Sequence, residues 1–337
     1  MIAVGLLAAA CGEGAAERGE YVYVTNEDSR NITVIDVRDD SVVSTIEVGT
    51  RPRGVKVSPD GRTVYVALSG SPKCPPSMSD EECAKRETDP AKDGIAVVDV
   101  ASRRVVNTLP AGSDPETFDV SRDGGRLFVS NEDADSASIV DLVKGTVILN
   151  VKTGKEPEGV TVAPDGKVFW VSAETDHNIT GIDTQSGEVI GVIEVGMRPR
   201  AIVFVAGGAK AYVTNEADGT VSVVDLAAAK RVKTISLPEG SRPMGLAVAP
   251  DGRKVYVSNG RGGTVSVLDA STDSILMTVR AGTRPWGIGV TRDGKKLYTA
   301  NGPGNDVSVI NAETMDLVRT VSVGSVPWGI AVGPAPR

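Results

Sequence analysis

Seven short x-Pro-x segments hold most of the residues in this chain that could do chemistry. Around their prolines, in order, stand Arg51 and Arg53, Asp114 and Glu116, Glu156 and Glu158, Arg198 and Arg200, Arg242 and Met244, Arg284 and Trp286, and Val326 and Trp328. Two acidic segments lie between basic ones, and the far half is arginine-rich with two neighbouring tryptophans. Arginine beside tryptophan can hold a planar anion by forked hydrogen bonds and stacking. The same pair anchors protein interfaces. Arginine and glutamate from adjacent segments can also simply pair, although exposed pairs contribute only about 0–1 kcal/mol. The residues alone leave all three uses open.

A second carboxylate set is Glu27, Glu132, Glu174 and Glu216. Oxygen-only ligands of this kind suit Ca²⁺, against the plainer alternative of solvated charges. The run "NEDADS" (Asn131 to Ser136) lacks the spacing of a known Ca²⁺ loop. Other chemistry is narrowed by what the chain lacks. His177 is the only histidine, which removes Ser-His-Asp triads and the multi-histidine haem and copper centres. No G-x-S-x-G occurs. Carboxylates acting with a divalent metal on a lactone remain as the enzymatic route, and no other cofactor is expected. A net charge of −8 argues against a nucleic-acid partner.

The prolines Pro52, Pro115, Pro157, Pro199, Pro243, Pro285 and Pro327 are spaced 63, 42, 42, 44, 42 and 42 residues apart. A period of 42 with one 21-residue insertion (42 + 21 = 63) accounts for the series. Repeats of this length with four strands each mark propeller blades. One unit reads "WGIGVTR", an Asp-Gly turn expected to be type I′, then "KLYTAN", "DVSVIN" and "LVRTVSV". Trp170, inside a strand pattern, is expected in the core. Asn26, Asn131, Asn215, Asn259 and Asn301 end second strands and are expected to bond local backbone. The chain opens on a second strand at Tyr21 and closes on a first strand at Trp328, so the last strand should complete the first blade. The expected fold is all-β: one seven-bladed propeller over residues 21–333, with a tail at 334–337. Its x-Pro-x loops and its second-to-third-strand loops share one mouth of the central channel, where binding on a rigid scaffold is expected.

"YVTN" recurs at Tyr23 to Asn26 and Tyr212 to Asn215, with "YVSN" at Tyr256 to Asn259. The chain resembles the YVTN-repeat β-propeller family. Its loop series "RPRG", "DPET", "EPEG", "RPRA", "RPMG", "RPWG", "VPWG" is similar to that of the PQQ-dependent catabolism-associated β-propellers. That resemblance implies export and a setting beside quinoprotein alcohol oxidation. A quinoprotein dehydrogenase or a cytochrome would then be the partner.

Residues 1–20 read as an export signal and linker, with the apolar run Ile2 to Ala10 ending at Cys11 in the manner of a lipoprotein signal. A periplasmic or extracellular, lipid-anchored, monomeric protein is expected. The insertion, about residues 70–91, carries Cys74 and Cys83, whose even number in an exported chain suggests a disulfide. The reading that results is a non-catalytic binding scaffold, with a metal-dependent lactonase-like hydrolase as the alternative.

Overall fold

The computed structural model describes residues 19–73, 78, 82 and 85–335. Cys11, Cys74 and Cys83 lie outside these residues, so the lipidation and disulfide expectations do too. Seven four-stranded antiparallel sheets are present. In the first blade, Pro327–Pro334 pairs with Glu20–Asn26, followed by Asn31–Asp36 and Ser41–Glu47. The C-terminal strand therefore closes the ring, which removes the open edges that a broken sheet would expose. The second to seventh blades begin at the inner strands Val55–Val57, Pro115–Val120, Pro157–Val162, Pro199–Val205, Pro243–Val248 and Pro285–Val290. The insertion leaves the second blade between Thr63–Leu68 and Gly94–Asp99, as its spacing requires.

The middle strands are buried and the outermost strands largely exposed, so apolar clusters form between blades. Trp170 is 6% exposed and packs with Ile179, Ile193 and Ile202. The recurring Thr/Ser-Asn pair at second-strand ends has two separate tasks. The hydroxyls of Thr25, Ser130, Ser172, Thr214 and Ser258 donate to the carbonyls of Arg53, Glu158, Arg200, Met244 and Trp286 in the next blade, at 2.5–2.8 Å. The asparagines do something other than the local backbone capping expected. Their amides chiefly donate to third-strand side chains five and seven residues on, as Asn215 does to Thr220 and Ser222, both at 2.9 Å. The hairpin holds those acceptors at the buried strand end, where backbone groups are already paired in the ladder.

Thr214 also accepts from the Ala201 amide at 2.9 Å, and it is fully buried. Thr214→Val keeps the shape but orphans both the Ala201 amide and the Met244 carbonyl. The expected loss is about 2–4 kcal/mol, read as a lower urea midpoint with an unchanged slope.

Two blade junctions carry a tyrosine clamp. The Tyr298 hydroxyl donates to Asp40 at 2.5 Å, with Lys296 on the same carboxylate at 2.9 Å, and Tyr212 and Lys210 engage Asp273 likewise. The turn position held by Asp40 and Asp273 is Arg103 in the second blade. Tyr23, facing that blade, has a buried hydroxyl with no partner among the described residues. Tyr298→Phe should therefore cost about 1–2 kcal/mol, whereas Tyr23→Phe should be within about 0.5 kcal/mol of neutral or stabilising. Denaturant melts of the two variants side by side check the contrast.

The Asp-Gly turns are not type I′. Only the glycine has positive φ (+70° at Gly294), and Asp293 accepts from Thr291 at 2.6 Å and from the Lys295 amide at 3.0 Å. With Thr291 bonded to Lys296, the loop is a four-residue turn in which the aspartate fastens the chain on either side.

Candidate functional site

Each x-Pro-x loop is built the same way. The residue before proline lies in the left-handed region in all seven, from φ +44° at Arg51 to φ +55° at Arg198, including the β-branched Val326 at φ +54°. Proline ordinarily pushes its predecessor toward extended backbone, so the conformation is held from outside. Its carbonyl accepts the amide that follows the second strand: Glu27 to Val326, Glu132 to Asp114, Glu174 to Glu156 and Glu216 to Arg198, at 2.9–3.0 Å. This bond brings the second carboxylate set to the x-Pro-x mouth.

After proline the inner strand bulges, with a register shift between Pro285 and Ile288 and at the same place in five other blades. A bulge re-aims side chains; here it turns the post-proline residue toward the channel. In five of the seven loops a glycine follows, where close approach leaves no room for a Cβ, while Thr117 and Ala201 stand there in the third and fifth blades. A Cβ on Gly245 would lie 2.6 Å from the Trp286 carbonyl, and one on Gly287 would lie 2.6 Å from the Trp328 carbonyl.

The mouth divides into two halves. On blades one to five, cations and carboxylates interlock. Arg51 contacts Glu27 at 3.0 Å, Ser69 at 3.3 Å, and the Ser71 carbonyl. Arg53 meets Glu116 directly and lies 3.5 Å from Glu27 and 3.6 Å from Glu132. Lys73, from the insertion, reaches Glu27 at 2.9 Å. Arg200 touches Glu158 and lies 2.8 Å from Glu174 and 2.9 Å from Glu216, while Arg198 contacts Glu174. Glu156 accepts from the Thr175 hydroxyl.

Blades six and seven differ. Among the described residues no carboxylate pairs with Arg242 or Arg284. The Arg284 guanidinium lies 5.5 Å from the Trp286 ring, and Arg53 lies 5.8 Å from the Trp328 ring. Carboxylate pairing thus accounts for the arginines of the second and fifth blades, the arginine–tryptophan arrangement for Arg284 of the seventh, and Arg53 takes part in both.

Charge states follow from these neighbours. Burial works against the Glu27 carboxylate, but Arg53, Arg51 and Lys73 outweigh it and hold the group below the usual range. Burial likewise opposes charge on Glu158, yet Arg200 and Arg53 keep it low. Glu174 goes the other way. Burial pushes it up to about 8, with the adjoining Glu158 adding to the shift against Arg200 and Arg198. Glu158 and Glu174 both lie against the Arg200 guanidinium, so charge on Glu158 helps to keep the buried Glu174 protonated. Burial and Glu158 raise Glu132 similarly, to about 8.

The four glutamates expected to converge on a cation do not. Glu27, Glu174 and Glu216 are drawn to arginines on their own sides of the ring, because ring order puts a basic loop next to each. Glu132 instead groups with Asp114 and Glu116. Three participants escaped the sequence reading: Lys73, Asp133, and Asp93, whose carboxylate accepts from the Gly70 and Asp114 amides at 2.7 and 3.2 Å. Their only signal was their place at the insertion or beside a second-strand end.

A cavity of about 400 Å³ is lined by the inner strands of all seven blades, with Glu158, Arg200, Met244, Trp286 and Trp328 among its walls. Deeper in the channel Lys56 pairs with Asp119 at 3.2 Å. Glu158, the Arg200 guanidinium and two indoles thus face one space, and Glu174 adjoins it through Arg200.

A model of the lactonase, 7-bladed beta-propeller family matches residues 15–164 and 184–333. The chain belongs to that family. Among solved structures it is similar to candidate 6-phosphogluconolactonases from Bacteroides fragilis (16% identity, 95% of this chain and 99% of that one, TM-score 0.77) and Bacteroides uniformis (17%, 94% and 100%, 0.75). It also resembles hydrazine synthase of Kuenenia stuttgartiensis at 20% identity over 83% of this chain and 89% of that one, TM-score 0.70. At such identities these likenesses show the fold. Antigen Lp49 of Leptospira interrogans is 29% identical over 110 residues, 33% of this chain and 23% of that protein.

Membership of a lactonase family overturns the expectation of a non-catalytic scaffold serving quinoprotein alcohol oxidation. The loop series that suggested it is explained by shared architecture: every blade has the proline and its left-handed predecessor at the strand entry, whatever the protein does.

Proposed function

We propose that this lactonase-family propeller hydrolyses a lactone bearing an anionic group, in the cavity at its x-Pro-x mouth. The observation that carries the reading is the division of the mouth. Glu158 and Glu174 flank the Arg200 guanidinium on one side, and on the other Arg242 and Arg284 stand without carboxylate partners among the described residues, Arg284 over the indole of Trp286. Family membership and the candidate 6-phosphogluconolactonase neighbours support a phosphorylated sugar lactone as the substrate class.

The residues divide the work as follows. Arg242 and Arg284 hold the substrate anion by charge-assisted hydrogen bonds, and the indoles pack against the apolar ring face. The Glu158 carboxylate takes a proton from a water whose oxygen attacks the lactone carbonyl carbon. Arg200 stabilises the oxyanion that forms. As the ring C–O bond breaks, the protonated Glu174 gives its proton to the departing alkoxide, leaving an open-chain hydroxy acid. Glu158 has gained one proton and Glu174 has lost one, so proton transfer from Glu158 to Glu174 beside Arg200 restores the pair. One ionised and one protonated carboxylate provide base and acid together at neutral pH.

The Thr/Ser-Asn tasks described above also support placing the chain with YVTN-type propellers inside the lactonase family. A pH-stat assay on neutral and anionic five- and six-membered lactones tests the activity. Saturable proton release above the spontaneous rate is expected for an anionic lactone; folded protein that releases none over the whole panel overturns the reading.

A further inference from the structure

We infer that Asp114, Glu116 and Glu132 form a binding site for a divalent cation with oxygen-only coordination, Ca²⁺ by its chemistry. One carboxylate oxygen from each residue lies within 4.8 Å of the others. Asp114 is 4% exposed and Glu116 is 1% exposed, and Asp114 Oδ1 and Glu116 Oε2 are buried with no hydrogen-bond partner among the described residues. Native interiors rarely leave such acceptors unsatisfied, because the lost hydration is not replaced.

Charge points the same way. Asp93 and Asp133 adjoin the three ligands, and their oxygens are occupied by the Gly70 and Asp114 amides and by the Ser71 hydroxyl. Against these carboxylates stands Arg53, which contacts Glu116 and Glu132 but is shared with Glu27. Asp114 has no ion pair among the described residues. The two buried carboxylates, Asp114 and Glu116, thus have only a share of one guanidinium between them.

Zinc is disfavoured by the absence of nitrogen and sulfur ligands from the group. Mg²⁺ demands near-octahedral geometry and usually keeps several waters, whereas Ca²⁺ accepts irregular sets of carboxylates. The site also has a structural consequence. Ser71 and Asp93, at the two ends of the insertion, hydrogen-bond to Asp133 and to the Asp114 amide. A cation on Asp114 and Glu132 thus fastens the base of the insertion to the third blade. The inference is independent of the lactonase reading, since Glu158 and Glu174 are not ligands.

Titration calorimetry of the full chain with CaCl₂ after chelator treatment tests it, paired with thermal melts. One Ca²⁺ per chain and a raised melting midpoint are expected. Glu132→Gln, the most exposed ligand and so the variant most able to fold, should weaken binding by about 10–100-fold, and Asp114→Asn should do the same. Glu216→Gln, a mouth carboxylate outside the group, should bind as the unmodified chain does. No heat and no midpoint shift at millimolar Ca²⁺ would overturn the site. Binding undiminished in Glu132→Gln would overturn its location, and Mg²⁺ binding as tightly as Ca²⁺ would overturn the choice of ion.

Discussion

Replacing Glu158 with glutamine should lower kcat on an anionic lactone by about 10²–10⁴-fold, the range for a lost general base. Burial makes this carboxylate costly to ionise, and Arg200 and Arg53 keep it charged nonetheless. Glutamine keeps the shape and the contact with Arg200 but cannot take a proton from water. Glu174→Gln should lower kcat comparably by removing the acid, and its signature lies in the pH profile. In the unmodified chain the rate requires Glu158 ionised and Glu174 protonated. Because burial lifts Glu174 to about 8, the rate should fall as pH rises through that value. It should also fall at low pH as Glu158 takes up a proton. In Glu174→Gln the alkaline limb should disappear from the remaining activity. A measured kcat/KM profile from pH 5 to 10 for the three proteins checks both outcomes. An alkaline limb that survives in Glu174→Gln would assign it to another group.

Converting Arg242 and Arg284 together to alanine should separate anionic from neutral substrates. A hydrogen bond to a charged group contributes about 1.5–3 kcal/mol. Two such bonds correspond to roughly 10²–10⁴ in kcat/KM at about 1.4 kcal/mol per tenfold. The loss should fall on KM, since both guanidiniums grip the substrate away from the reacting carbonyl. A neutral lactone should change by less than about threefold. Folding should be little affected, because neither side chain has a carboxylate partner among the described residues, unlike Arg200 with three. Initial rates for one phosphorylated and one uncharged lactone, at low and moderate salt, give the comparison. Equal losses on both substrates would point to disturbed packing around Trp286 instead.

The ring was legible because spacing survives divergence. Seven prolines at a repeat of 42 fix blade number, the insertion falls where one interval is too long, and unmatched half-blades at the termini require closure by Pro327–Pro334. Placement of Glu27, Glu132, Glu174 and Glu216 at the x-Pro-x mouth was legible from the same topology. Their grouping was not. Arg53 enters from the second blade yet meets Glu27 of the first and Glu116 of the third, contacts that exist only once the ring has closed. The pairing of an ionised with a protonated glutamate depends on burial, which repeat spacing does not reveal: Glu158 is 5% exposed and Glu174 is 7% exposed, both against one guanidinium. The asparagines misled for a related reason. A strand-ending asparagine suggests a local turn, whereas here the buried third-strand hydroxyls are the better partners. Asp93 in "AKDGIAV" carries no signal of its own, because its partner, the Asp114 amide, lies 21 residues away in the next blade.

A crystal structure with a non-hydrolysable cyclic ether analogue of a phosphorylated sugar lactone tests the lactonase site most directly. The phosphate is predicted between Arg242 and Arg284, the ring against Trp286 and Trp328, and the carbon equivalent to the carbonyl beside Glu158 and Arg200. An analogue bound at the opposite, Asp-Gly-turn face, with the x-Pro-x mouth left to water, would contradict it.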